Sequence, residues 1–77
     1  LFEKDIKLPV GEGEIAKHMR TLNKEFPDLE LGSYPTIEPD RGYRTQLVFR
    51  SQKEATIDQA LEKFWTLSGL PKTEAQS

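Results

Sequence analysis

The apolar residues of this chain switch repeatedly between a period of two and a helical period, and that succession restricts the fold more than any single motif. Phe2, Ile6, Leu8 and Val10 share one parity, while Glu3, Asp5 and Lys7 take the other. Such alternation marks a strand with one buried face. Lys4 breaks the inner parity, as a residue at a frayed edge would. Ile15, Met19, Leu22 and Phe26 then fall on one face of a helix, which Pro27 stops. Leu29 and Leu31 alternate with Glu30 and Gly32 in a short strand. A longer one runs from about Tyr43 to Arg50, with Tyr43, Thr45, Leu47 and Phe49 on its better core face. Ile57, Ala60, Leu61, Phe64 and Leu67 return to the helical period, and Gly69 and Pro71 end it in the usual order.

The predicted order is therefore β-α-β-β-α, an α+β fold. A right-handed crossover between the first two strands leaves room for the third between them. The expectation is a three-stranded antiparallel sheet, ordered 1-3-2, with both helices on one face. The open face would carry Glu3, Asp5, Lys7, Glu30, Tyr34, Arg44, Gln46 and Arg50.

Local signals refine the boundaries. Gly11 and Gly13 punctuate before the first helix, and Glu12 and Glu14 place negative charge in its first turn. Ser51 with Glu54 has the spacing of a capping box for the second helix. Between the last two strands, Pro39, Asp40 and Gly42 mark a turn. Residues 1–69 are expected to form a single domain, with 70–77 as a disordered tail.

The chain has 77 residues, enough for one domain at most. A single core of this size typically supplies only ~3–5 kcal/mol, and no cysteine is present to add a disulfide. The absence of cysteine also excludes thiolate chemistry. No apolar run approaches the ~20 residues needed to cross a bilayer, and no signal peptide is visible, so no membrane partner and a cytoplasmic location are expected. The start at Leu1, almost directly in a strand pattern, suggests a piece of a longer polypeptide.

Catalytic residues are hard to find. The single histidine, His18, borders the first helix's apolar stripe, with no nucleophile at a motif spacing. One histidine and no cysteine do not make a typical zinc ligand set. Carboxylates are scattered. The glycines of PVGEGEIAKH lack Walker spacing, and Glu12 and Glu14 would repel phosphate. No catalytic residue, metal site or cofactor is expected.

Binding is less easily set aside. The segment Gly32, Ser33, Tyr34 and Pro35 reads either as a strand terminus or as a contact with another domain, with termination preferred. Trp65 falls off the centre of the second helix's stripe. It reads equally as a half-exposed interface anchor and as a lid on the core edge. Tyr34, Arg44 and Arg50 could form a stacking and cationic platform for single-stranded nucleic acid. The formal net charge of −2 argues against that, because phosphate-tracking surfaces are usually basic.

LELGSYP, followed by GYRTQLVFRSQKEATIDQALEKF, resembles the small domain that follows the molybdopterin-binding-like domain in CinA-type competence/damage-inducible proteins. The related region of eukaryotic FAD synthases is similar. The matching residues are Leu31 to Pro35, Tyr43 to Ser51, and Ala60 with Leu61. Upstream, LPVGEGEIAKHMRTLNKEFPD fits the same strand–turn–helix. The resemblance implies a KH-like domain without the GXXG loop of nucleic-acid-binding KH domains, and no GXXG occurs here. It implies a neighbouring domain that hydrolyses pyrophosphate bonds of nucleotides such as ADP-ribose or FAD. Some bacterial members add a nicotinamide-nucleotide amidase domain. No family catalytic residue matches this chain. The implied role is a non-catalytic accessory domain whose partner is the adjacent domain of the parent chain, with a homodimer through the parent as a second option.

Overall fold

The computed structural model describes residues 1–37 and 42–77. The turn expected at Pro39 and Asp40 lies outside them. Five elements follow in order: β1 (Phe2–Leu8), α1 (Glu12–Glu25), β2 (Glu30–Pro35), β3 (Thr45–Ser51) and α2 (Glu54–Ser68). The sheet is antiparallel with order β1-β3-β2, as the sequence predicted. β3 is the central strand and the most deeply buried.

Alternation assigns the two faces. Ile6 stands opposite Leu47, and Lys4 opposite Phe49, which also faces Leu31 across the other ladder. These side chains point to the helix layer. Ile15 and Leu22 of α1 meet Ile57, Ala60, Leu61 and Phe64 of α2 in one core with Ile6, Leu8, Leu47 and Phe49. Met19 and Phe26 pack on its margin. Fully burying each such side chain contributes roughly 1.5–3 kcal/mol. That burial, set against chain entropy, is what holds a cysteine-free domain of this size together.

Two local expectations are corrected. Ser51 does not cap α2. It is still paired in β3, opposite Phe2, and its hydroxyl accepts the Lys53 N–H at 3.1 Å. The helix therefore starts two residues later than the capping box requires, with Lys53 at its N-cap. Tyr43 precedes β3 and does not enter the core. Its ring lies 5.4 Å from the Lys7 ammonium, a cation–π distance. The C-terminal end of α2 follows expectation: Gly69 has φ +69° and its N–H donates to the Trp65 carbonyl. Only a left-handed residue closes the helix this way, and glycine adopts that conformation without steric cost.

The segment after Gly69 reads as disordered from sequence, but here it folds back on the domain. Asp5 N–H donates to the Gln76 carbonyl at 2.7 Å, and Gln76 N–H returns to the Asp5 carbonyl at 2.9 Å. Leu70 and Ala75 pack against the core. The reason is non-local: β1 is an edge strand, and its outward backbone groups at Asp5 need partners.

Candidate functional site

The segment singled out by sequence, Gly32–Pro35, forms most of edge strand β2. Its side chains alternate across the sheet. Ser33 points to the helix layer, where its hydroxyl donates to Glu12 Oε1 of α1 at 2.9 Å. Tyr34 points to the open face and folds back along the strand. A Cβ at Gly32 would lie 2.9 Å from the Tyr34 hydroxyl and 3.1 Å from its ring. Gly32 is thus the space the Tyr34 ring occupies, although its backbone φ is unexceptional. Pro35 closes the strand, where its missing N–H costs no ladder bond.

The open face is a lattice of opposite charges. Arg50 stands between Glu3 of β1 and Glu30 of β2 in register, and its guanidinium donates to Glu3. That hydrogen bond, with the attraction of Glu3 and lesser ones from Tyr34 and Glu30, raises the Arg50 pKa further. Beside it, Gln46 Nε2 donates to Asp5 Oδ2 at 2.8 Å. Val48 is the apolar residue of this face, opposite Gly32 and Asp5, and only 7% exposed. Tyr34, Gly32, Glu30, Val48 and Arg50 line one small cavity of about 130 Å³.

The expected sites are only partly brought together. Tyr34 and Arg50 share that cavity. Arg44 does not: it precedes β3 and lines a separate cleft with Gly11, Glu12, Pro35 and Thr36. Trp65 lies elsewhere again, in a groove with Lys4, Asp58, Lys72 and Ala75 on the β1 side. The order β1-β3-β2 puts it at the opposite edge from Gly32–Pro35. Nor is it half-exposed. Its exposure is 8%, it meets Phe64 edge-on at 5.3 Å, and the returning C-terminal segment lines the same groove. As a core lid it is explained; as a displayed anchor it is not.

His18 sits between the helices with its ring edge-on to Phe64 at 6.2 Å. Burial, and next the Lys17 charge, lower its pKa. Among the described residues no group of three or more His, Cys, Asp or Glu side chains could hold a metal. No helix among the described residues is long and apolar enough to cross a membrane.

Sequence reasoning missed two contacts. Lys4 Nζ reaches Asp58 Oδ1 at 2.7 Å and Glu54 Oε2 at 3.5 Å. Nothing local signals this pairing. The covering of Gly32 by Tyr34 does have a signal: Gly-x-Tyr within a strand puts the ring and the vacancy on one face.

No curated protein and no solved structure matches this chain. A family described as FAD synthase, middle domain, matches residues 1–75, nearly the whole of it. With that extent of match over these five elements, the chain belongs to the FAD synthase middle-domain family.

Proposed function

We propose that this domain is a non-catalytic contact module within a longer nucleotide-metabolising protein. The observation that carries the reading is the family match over residues 1–75, joined by an open sheet face on which Arg50 and Gln46 are bonded to Glu3 and Asp5. Lys4, Arg50, Lys63 and Lys72 each pair with a carboxylate. The family's description as a middle domain supports flanking segments as partners. The resemblance to the small domain of CinA-type proteins, KH-like but without GXXG, supports a neighbour that hydrolyses nucleotide pyrophosphates of the ADP-ribose or FAD class.

Gly32, Ser33, Tyr34 and Pro35 are the residues we assign to the contact. They form an edge, and Tyr34 offers a half-exposed phenol there. Trp65 joins the set only through the groove that the C-terminal segment occupies.

The test is direct. The isolated domain is incubated with ADP-ribose and with FAD, with and without magnesium, and products are separated by chromatography. No turnover above buffer is expected. Hydrolysis at a rate comparable to the full-length protein would overturn the reading. The open sheet face does not favour a nucleic-acid role, because Arg50 is bonded to Glu3 and flanked by Glu30.

A further inference from the structure

The two edges of this sheet differ. On β1, the outward backbone groups of Asp5 are satisfied by Gln76. On β2, the Thr36 N–H donates to the Arg44 carbonyl of the adjoining hairpin segment, which sets the alternation. Glu30, Gly32 and Tyr34 then face β3 with their backbone groups, while those of Leu31 and Ser33 point outward. Among the described residues no group bonds the outward amides of Leu31 and Ser33. Apart from Pro35 at its end, the edge lacks the usual protections of a lysine or a bulge.

We propose that this edge pairs antiparallel with the same edge of a second copy, in the register that sets Gly32 against Gly32 of the second copy. The register follows from the residues. Leu31 then faces Ser33 of the second copy, so every outward amide of Leu31 and Ser33 finds a carbonyl. Moving the register so that Ser33 faces itself sets Leu31 against Pro35, which has no N–H to return. Side chains agree on both faces. The only charged residue of β2, Glu30, meets Tyr34 of the second copy, a phenol that can donate to its carboxylate, and no like charges stand opposed. The two glycines at the centre leave the open face free of side chains except the Tyr34 rings already lying there. A strand whose sequence answers itself this way favours a second copy over an unrelated segment. The product is a continuous six-stranded sheet with an isologous interface.

The inference rests on the contact role proposed above but names a second copy, in place of a flanking segment, as what the β2 edge meets, and the two fail separately: hydrolysis by the domain alone refutes that role, whereas the pairing is tested by association. Sedimentation equilibrium of the whole 77-residue chain should show a concentration-dependent dimer. Ser33→Pro removes an amide that β3 does not use, and should weaken dimerisation by about 30-fold for the hydrogen bonds lost from both copies. Ser33→Ala keeps that amide and should change it less than about twofold. Should the proline variant not fold, amide exchange on the native chain decides: Leu31 and Ser33 must become protected as the dimer fills. A chain monomeric at millimolar concentration overturns the proposal and leaves the edge to a neighbouring segment of the parent. So does a dimer that survives Ser33→Pro, or one whose Leu31 and Ser33 amides exchange as fast as in the monomer.

Discussion

The Lys4 ammonium lies 2.7 Å from Asp58, the one charge on the helix-facing side of β1 meeting a carboxylate of α2. Glu54, one turn earlier, stands 3.5 Å away. The lysine extends past the core's rim rather than into it. Its hydrogen bond to Asp58, and then the attraction of both carboxylates, raise its pKa above the usual 10.5. A raised folded value means that the pair's contribution is complete below pH 10.5 and is lost as pH climbs through the folded pKa. Lys4→Met should therefore flatten the alkaline loss of stability relative to wild type. Urea midpoints from pH 8 to 12 measure this; parallel curves would refute it.

His18 gives the opposite sign at lower pH. Its folded pKa is depressed below 6.5 by burial and by Lys17, so the unfolded chain binds its proton first. Stability should hold above that value and fall as pH drops below it, toward the folded pKa. His18→Gln removes this slope. Thermal melting at several pH values between 5 and 8 provides the check, and an unchanged slope would count against it.

Removing Phe64 should be fatal. Its ring is fully buried between both helices and the sheet, beside His18 and Trp65. Phe→Ala at such a site costs roughly 3–5 kcal/mol, against a total of about 3–5 kcal/mol for a domain of this size. Circular dichroism at 25 °C should show an unfolded chain. Persistence of a cooperative melt would mean that the core is better supported than its size allows.

Gly32 and Tyr34 should be coupled. Gly32→Ala places a methyl 2.9 Å from the phenol oxygen, so the ring must swing away from Gly32. In the wild-type background the change should destabilise by about 1 kcal/mol. With Tyr34→Ala already present it should be neutral or gain a few tenths, because alanine restricts the unfolded chain more than glycine does. A double-mutant cycle with coupling near zero would show that the ring is not held there.

The returning C-terminal segment can be probed through Trp65, the only tryptophan. Gln76→Pro deletes the N–H that bonds the Asp5 carbonyl. Faster exchange of the Asp5 amide and stronger acrylamide quenching of Trp65 are expected, with the sheet amides of Ile6 and Leu47 unaffected. Identical quenching in both proteins would show that Trp65 is covered by other means.

Much of this fold was legible because its determinants are local. Ile15, Met19, Leu22 and Phe26 announce one helix, and the alternation through Leu47 and Phe49 announces the central strand. Pro35 marked the end of an edge strand in the candidate site. The failures share a cause. Lys4 breaks a pattern for the sake of Asp58, far along the chain. Ser51 has the right neighbour for a capping box, but pairing with Phe2 keeps it in the strand. Trp65 falls off its helix's stripe because a segment after the helix covers it, and Gln76 docks for a vacancy on β1 that no nearby residue reveals. Each needed the tertiary neighbour to be known first.

The strand order has a consequence for how the domain comes into being. β1 and β2 never touch as a ladder; within the sheet each pairs with β3, the last of the three strands. A nascent polypeptide that has emerged only as far as Pro35 holds two strands and a helix with no ladder to join them. The sheet must wait for Thr45–Ser51 and then close on both sides at once. Any break ahead of Thr45 would thus release two pieces, neither of which carries a completed sheet.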